Sequence, residues 1–175
     1  MPQEQPWPVD LGVAIGVQAQ IVEADPAQTF SATLPRLKTS EASIAEFETE
    51  KGERLPTSYR NFLLHADGWE LFYFTLDLFG LPELRGAGRW KRAQSLLETY
   101  EAEEVLDDSG LSAEDLLPVA AGQGSDLVVV VREGRPNAGM TIWFDGEEFG
   151  RFDDFGDFFE GAVAMMQTWV DRQSG

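Results

Sequence analysis

Between Ile44 and Trp69 the chain reads IAEFETEKGERLPTSYRNFLLHADGW, and no other stretch limits the fold so tightly. Ser43 is placed to cap a helix, because its hydroxyl accepts from a free first-turn N–H, and Glu46 stands at the matching capping-box position. Ile44 and Phe47 form an apolar stripe, and Gly52 ends the run. Pro56 suits the first position of a second helix, where its missing N–H is not needed. Tyr59, Phe62 and Leu63 carry that helix's buried face, and Gly68 supplies the stop. Two short amphipathic helices joined by a tight break are therefore expected here.

Downstream, the aromatic and β-branched run ELFYFTLDLFG at Glu70–Gly80 reads as a strand, and Pro82 to Gly88 as a loop. Trp90, Ala93, Leu97, Tyr100 and Val105 recur at helical spacing. Ser112 with Asp115 marks a short capped turn before a strand that begins near Leu117. Leu127 to Val131 is apolar throughout and β-branched after its leucine, the pattern of a central strand covered on both faces. Met140 to Phe144 and Phe149 to Phe152 read as strands around an Asp145-Gly146 turn. A last helix follows, with Phe155, Phe158, Phe159, Ala162, Val163, Met166, Trp169 and Val170 on its inner side. Strands joined by short turns imply a mostly antiparallel sheet with helices packed on one side, an α+β fold. Upstream, apolar residues alternate from Leu11 to Ile21, which reads as a half-buried strand added to a sheet edge. Pro26 to Ser40 reads as a linker or irregular segment.

The order of these features resembles the SUKH superfamily, the domain type shared by a fungal cell-wall regulator and many bacterial immunity proteins. The residues that carry the likeness are Ile44, Phe47-Glu48, Gly52, Leu55-Pro56, Tyr59, Phe62-Leu63 and Gly68. Leu117-Pro118-Val119, Gly124-Ser125-Asp126, Leu127–Val131 and Phe155–Phe159 then follow in the family's order. The likeness runs from Ser43 to Asp171. It divides the chain into an N-terminal extension, 1–42, and a SUKH-like domain, 43–175.

With 31 acidic against 13 basic residues, the formal net charge is −18. Such a charge repels nucleic acid and anionic lipid and speeds encounter with a basic protein. The absence of cysteine excludes disulfides, thiolate metal sites and cysteine nucleophiles. Neither a basic secretion signal after Met1 nor a membrane-length apolar run is present, so the cytoplasm is the expected compartment.

Few residues suggest chemistry. His65 is the sole histidine and reads as a helix C-terminal residue beside the macrodipole rather than as a general base. Gly122-Gln123-Gly124 lacks the third glycine, following helix and lysine of a phosphate loop, and reads as a loop needing positive φ. Glu147-Glu148 and Asp153-Asp154 do not follow a calcium-loop spacing. Trp90, Trp143, Met165 and Met166 read as core. No enzyme activity and no cofactor are expected.

The charge on the helix that starts near Trp90 is more telling. It opens with Arg89, Lys91 and Arg92 and closes with Glu98, Glu101, Glu103, Glu104, Asp107 and Asp108. That order opposes the helix macrodipole, whose negative end lies at the C-terminus. The family resemblance implies an immunity protein that occludes a cognate toxin domain. An acidic surface suits a basic toxin, such as a nuclease whose cleft attracts phosphate. Glu101, Glu103, Glu104, Asp107 and Asp108, then Glu147 and Glu148, are the expected contact residues. The alternative implied by the fungal relatives is a regulatory or scaffold module without a toxin partner.

Overall fold

The central element is a six-stranded antiparallel sheet whose strands pair in chain order. A computed structural model describes residues 4–175. The strands are β1 (Trp69–Tyr73), β2 (Leu76–Leu78), β3 (Leu116–Ala121), β4 (Asp126–Val131), β5 (Thr141–Asp145) and β6 (Glu148–Phe152). The helices are α1 (Trp7–Ala24), α2 (Glu41–Lys51), α3 (Thr57–Leu63), α4 (Leu81–Leu84), α5 (Trp90–Ala102), α6 (Val105–Asp108) and α7 (Phe155–Gln173).

β4 shows how the sheet divides two cores. Val128 and Val130 point to one face, where Trp143, Tyr59, Phe62, Phe158 and Phe159 lie. Leu127, Val129 and Val131 point to the other, against Phe79, Ala93, Tyr100, Leu106 and Phe144. This alternation is the period-two geometry of a strand, applied where both faces are covered. α1 and α3 pack on α7 over the first face, and α5 packs on β3 and β4 over the second. The α+β class and antiparallel sheet are as expected from the sequence. The helical cover, expected on one side, extends to the second face through α5 and α6.

The paired helices form as anticipated, with two shifts at their ends. Ser40, not Ser43, caps α2, and its hydroxyl accepts the Ser43 N–H at 3.0 Å. Pro56 precedes α3 in extended conformation rather than occupying its first turn. Gly52 ends α2 at φ +67°, a left-handed cap that a side chain would strain. Gly68 has φ +87°, and a Cβ there would lie 2.6 Å from the Gly80 nitrogen. Both the turn into β1 and this backbone approach require glycine.

The largest correction lies at the N-terminus: the expected strand over Leu11–Ile21 is the interior of the 18-residue helix α1. Nearly every position there is apolar or small, so the alternating set coexists with a helical one. The buried set is Trp7, Leu11, Ala14, Val17, Gln18 and Ile21, spaced three and four apart and packed on α7. An edge strand would have left Ala14 and Gln18 on the wrong face. Residues 29–40 lack regular structure, as expected of an irregular segment, but they are pinned. Arg36 donates to both Glu83 carboxylate oxygens at 2.6 Å and to the Asp67 carbonyl at 2.6 Å. Glu83 is only 4% exposed, and this bidentate pair with the Gly80 N–H satisfies it.

The single strand expected over Glu70–Gly80 is the hairpin β1–β2, turning at Phe74-Thr75. Phe74 sits at φ +53° without being glycine or asparagine, held by its ring against Phe30 and Trp169. Leu71 is also left-handed, at φ +54°, where the β1–β2 register shifts. The Gln18 amide from α1 donates to the Leu71 and Phe72 carbonyls at 2.9 and 2.8 Å, and Asp77 accepts the Leu71 N–H at 2.8 Å. Long-range contacts therefore stabilise a backbone kink that local sequence disfavours.

Candidate interaction surface

α5 is seated on the sheet by its basic opening. Arg89 pairs with Asp77 at 3.3 Å and donates to the Thr75 and Ala121 carbonyls. Arg92 donates to the carbonyls of Gly122, Gln123 and Gly124, at 2.7 Å for the first and 2.6 Å for the last. The two arginines at this end thus hold the β1–β2 hairpin and the β3–β4 turn. That turn is not a phosphate cradle: its carbonyls face a guanidinium, and neither Gly122 nor Gly124 needs a positive φ.

The acidic end is different. Glu101 lies in the last turn of α5, Glu103 caps it, Glu104 turns the chain at φ +64°, and Asp107 and Asp108 belong to α6. All five are exposed, and among the described residues none forms an ion pair. Tyr100, buried at the same helix end, donates its hydroxyl proton to the Ser125 carbonyl and accepts the Gly146 N–H at 2.9 Å. The end of α5, where Glu101 lies, is thereby tied to the β5–β6 turn that carries Glu147. Arg151 supplies a second link, donating to the Ser109 carbonyl at 2.8 Å while paired with Glu148. Both acidic groups expected from the sequence therefore share one end of the molecule, although more than forty positions separate Tyr100 from Gly146.

Two carboxylates that sequence reasoning missed join them. Asp126 and Asp145 stand directly opposite each other in the β4–β5 ladder. Asp126 accepts the Trp143 indole N–H at 2.8 Å, and Asp145 accepts the Ser125 hydroxyl. Burial pushes the Asp126 pKa up; the Trp143 hydrogen bond opposes that, and the Asp145 charge adds to it. Burial likewise raises Tyr100 above the ordinary phenol value, with Asp145 and Asp126 contributing in the same direction. Like charges directly across a ladder cost stability. The Asp145-Gly146 turn motif was the available signal, but it did not show which residue would oppose it.

The remaining candidates have structural roles. His65 follows α3, exposed, with Nδ1 2.8 Å from the Asn61 carbonyl. Asp154 caps α7 by accepting the Asp157 N–H at 2.9 Å. Trp143 and Met166 are buried, whereas Trp90 and Met165 are half-buried against the cores. Among the described residues no three of His, Asp and Glu gather where they could hold a metal ion. A cavity of about 520 Å³ lies at the other end of the sheet, lined by Gln5, Trp7, Ser58, Asn61, Glu133 and Asp154. None of the acidic contact candidates borders it. Among the described residues no helix is long and apolar enough to cross a membrane.

No curated protein matches the chain. A family model described as SMI1 / KNR4 family (SUKH-1) matches residues 38–161, from the segment leading into α2 to the middle of α7. The matched region contains the paired helices, the whole sheet and all seven acidic contact candidates; α1 lies outside it. This chain is a member of the SMI1 / KNR4 family (SUKH-1).

Proposed function

We propose that the protein is an immunity protein that neutralises a cognate toxin domain by covering a basic site with the acidic surface formed by α5, α6 and the β5–β6 turn. It acts in the cytoplasm by occupancy, with no cofactor and no chemistry of its own. Glu101, Glu103, Glu104, Asp107, Asp108, Glu147 and Glu148 are its contact residues.

The observation that supports this reading is a coincidence of two locally unfavourable arrangements. Acidic residues crowd the negative end of α5, and two aspartates face each other across β4 and β5 at the same end of the sheet. Each works against stability. The aspartates have local hydrogen-bond partners in Trp143 and Ser125, whereas the acidic helix end has no ion-pair partner among the described residues. Charges that violate local rules in one place mark a surface shaped by something other than folding. Net charge of −18 adds long-range attraction for a basic partner and repulsion of nucleic acid. Family membership is consistent with this role.

Growth rescue tests it. A basic toxin domain encoded beside this chain is induced in a sensitive host with and without the protein. Rescue by the wild type, lost on Glu104→Lys with Asp108→Lys while soluble expression is retained, is the expected result. Absence of rescue against a toxic neighbour, with a defined set of other partners recovered from the native lysate, would favour the scaffold role instead.

A further inference from the structure

α1 poses a problem that the monomer does not solve. Four of the seven large apolar side chains left in solvent among the described residues belong to it: Val9 at 64%, Val13 at 51%, Val22 at 39% and Ile15 at 37% exposed. Its outward rows Val9–Val13 and Gly12–Gly16 are each spaced four apart and lie side by side. Gly12 and Gly16 adopt ordinary helical backbone, and a Cβ at either would meet nothing within 4 Å. Neither a left-handed turn nor a close contact within the chain calls for them. Helix-interior glycine nonetheless lowers stability relative to alanine. Beside this face an apolar groove of about 280 Å³ runs between α1 and α7, walled by Val13, Val17, Phe159, Val163 and Ala164.

We infer that the outer face of α1 is a self-association surface, on which α1 of a second copy packs antiparallel across a two-fold axis. Two observations select a second copy over other occupants. The face is self-complementary: exposed valines stand beside a glycine row and an apolar groove, so the valines of each copy meet the recess of the other. It is also nearly uncharged, with Glu23 the only fully exposed charged residue on α1. In a chain of net charge −18, two identical copies approach most readily where the shared surface carries the fewest carboxylates. Asp10 and Glu160 are the two carboxylates that line the groove, and Asp10 is only half-exposed.

The size of the face sets the strength. An 18-residue helix is about 27 Å long and about 10 Å wide, so it presents on the order of 300 Å² to a partner. A standard interface uses about 800 Å² on each side. The dimer is therefore weak and concentration-dependent, and it leaves the acidic surface on α5 and α6 free. Its salt response is opposite to that of toxin binding: salt screens repulsion between the two acidic copies and strengthens it.

Sedimentation velocity on the full chain, from low micromolar to submillimolar concentration, tests this. The 19.4 kDa species is expected to move toward twice that mass, at lower concentration when sodium chloride is raised. Val13→Glu is expected to remain monomeric with an unchanged melting temperature. Gly12→Ala with Gly16→Ala is expected to raise the melting temperature while weakening association by about tenfold or more. The last result separates an interface from a purely structural role, because a structural glycine would lower the melting temperature when replaced. A chain monomeric at every concentration, or one that associates equally well with Val13→Glu, would overturn the inference.

Discussion

Tyr100, Asp126 and Gln18 show how single side chains decide the shape of this molecule. The Tyr100 hydroxyl ties the end of α5 to the β3–β4 and β5–β6 turns, so one phenol sets the relation between two acidic segments. Asp126 bears the electrostatic consequence. Its pKa is raised, mainly by burial, so it holds its proton to higher pH in the folded protein than in the unfolded chain. The stability linked to this group is fully present below its unfolded pKa and is lost as pH rises through the raised folded value. Asp126→Asn retains an acceptor for the Trp143 N–H and removes the charge facing Asp145. It should stabilise the protein at neutral pH by about 0.2–1 kcal/mol and reduce the gain on acidification. Urea unfolding of both proteins across the carboxylate pH range checks this; identical pH profiles would contradict it. Gln18 illustrates what could not be read in advance. It is 4% exposed, and its amide serves the Leu71 and Phe72 carbonyls and the Thr33 N–H. A lone glutamine in an apolar run does not reveal that a kinked strand more than fifty residues away needs its hydrogen bonds.

Among the elements, α5 is the one whose charges and stability conflict. Its opening arginines are explained by the carbonyls and the aspartate they bind, but its acidic last turn has no such account within the fold. Glu101→Lys should therefore stabilise the protein by about 0.3–1 kcal/mol, because a cation near a helix C-terminus complements the macrodipole. The same change should weaken the proposed binding to a toxin domain. Thermal denaturation and a binding titration on one preparation test both directions; loss of stability would contradict the account. Elements with a clear local pattern were legible beforehand. Val128 and Val130 alternating with Leu127, Val129 and Val131 identify β4, and Gly52 ends α2 as expected. α1 was not legible, because a run rich in Ala, Gly, Val and Ile fits period two and period 3.6 equally well. Its packing on α7 resolves the ambiguity, and α7 lies more than a hundred residues away. The β1–β2 hairpin was missed for a related reason: Phe74 turns the chain without a turn residue, supported by aromatic contacts from Phe30 and Trp169.

At the scale of the whole molecule, the sheet separates three tasks. One face joins α1, α3 and α7 in an aromatic core, in which Phe159 stacks on Phe72 at 4.7 Å and meets Trp7 edge-on at 5.2 Å. The other face carries α5 and α6, and with them the acidic surface. The outer side of α1 is apolar and faces away from both. Composition made the net charge legible, and the order of motifs made the family legible. The convergence of Glu101–Asp108 with Glu147 and Glu148 required the fold, since the strand register, the Tyr100 hydroxyl and the Arg151 link to Ser109 bring them together. The most direct measurement is the association rate constant between this protein and a basic toxin domain encoded beside it, the proposed partner, by surface plasmon resonance over a series of salt concentrations. The account predicts a rate near 10⁸ M⁻¹s⁻¹ at low salt that falls steeply as salt is raised, on the order expected for electrostatic steering. Glu104→Lys with Asp108→Lys should slow association and flatten that dependence, with the fold intact. A rate constant unchanged by these substitutions, or insensitive to salt in the wild type, would contradict the acidic surface as the site of binding.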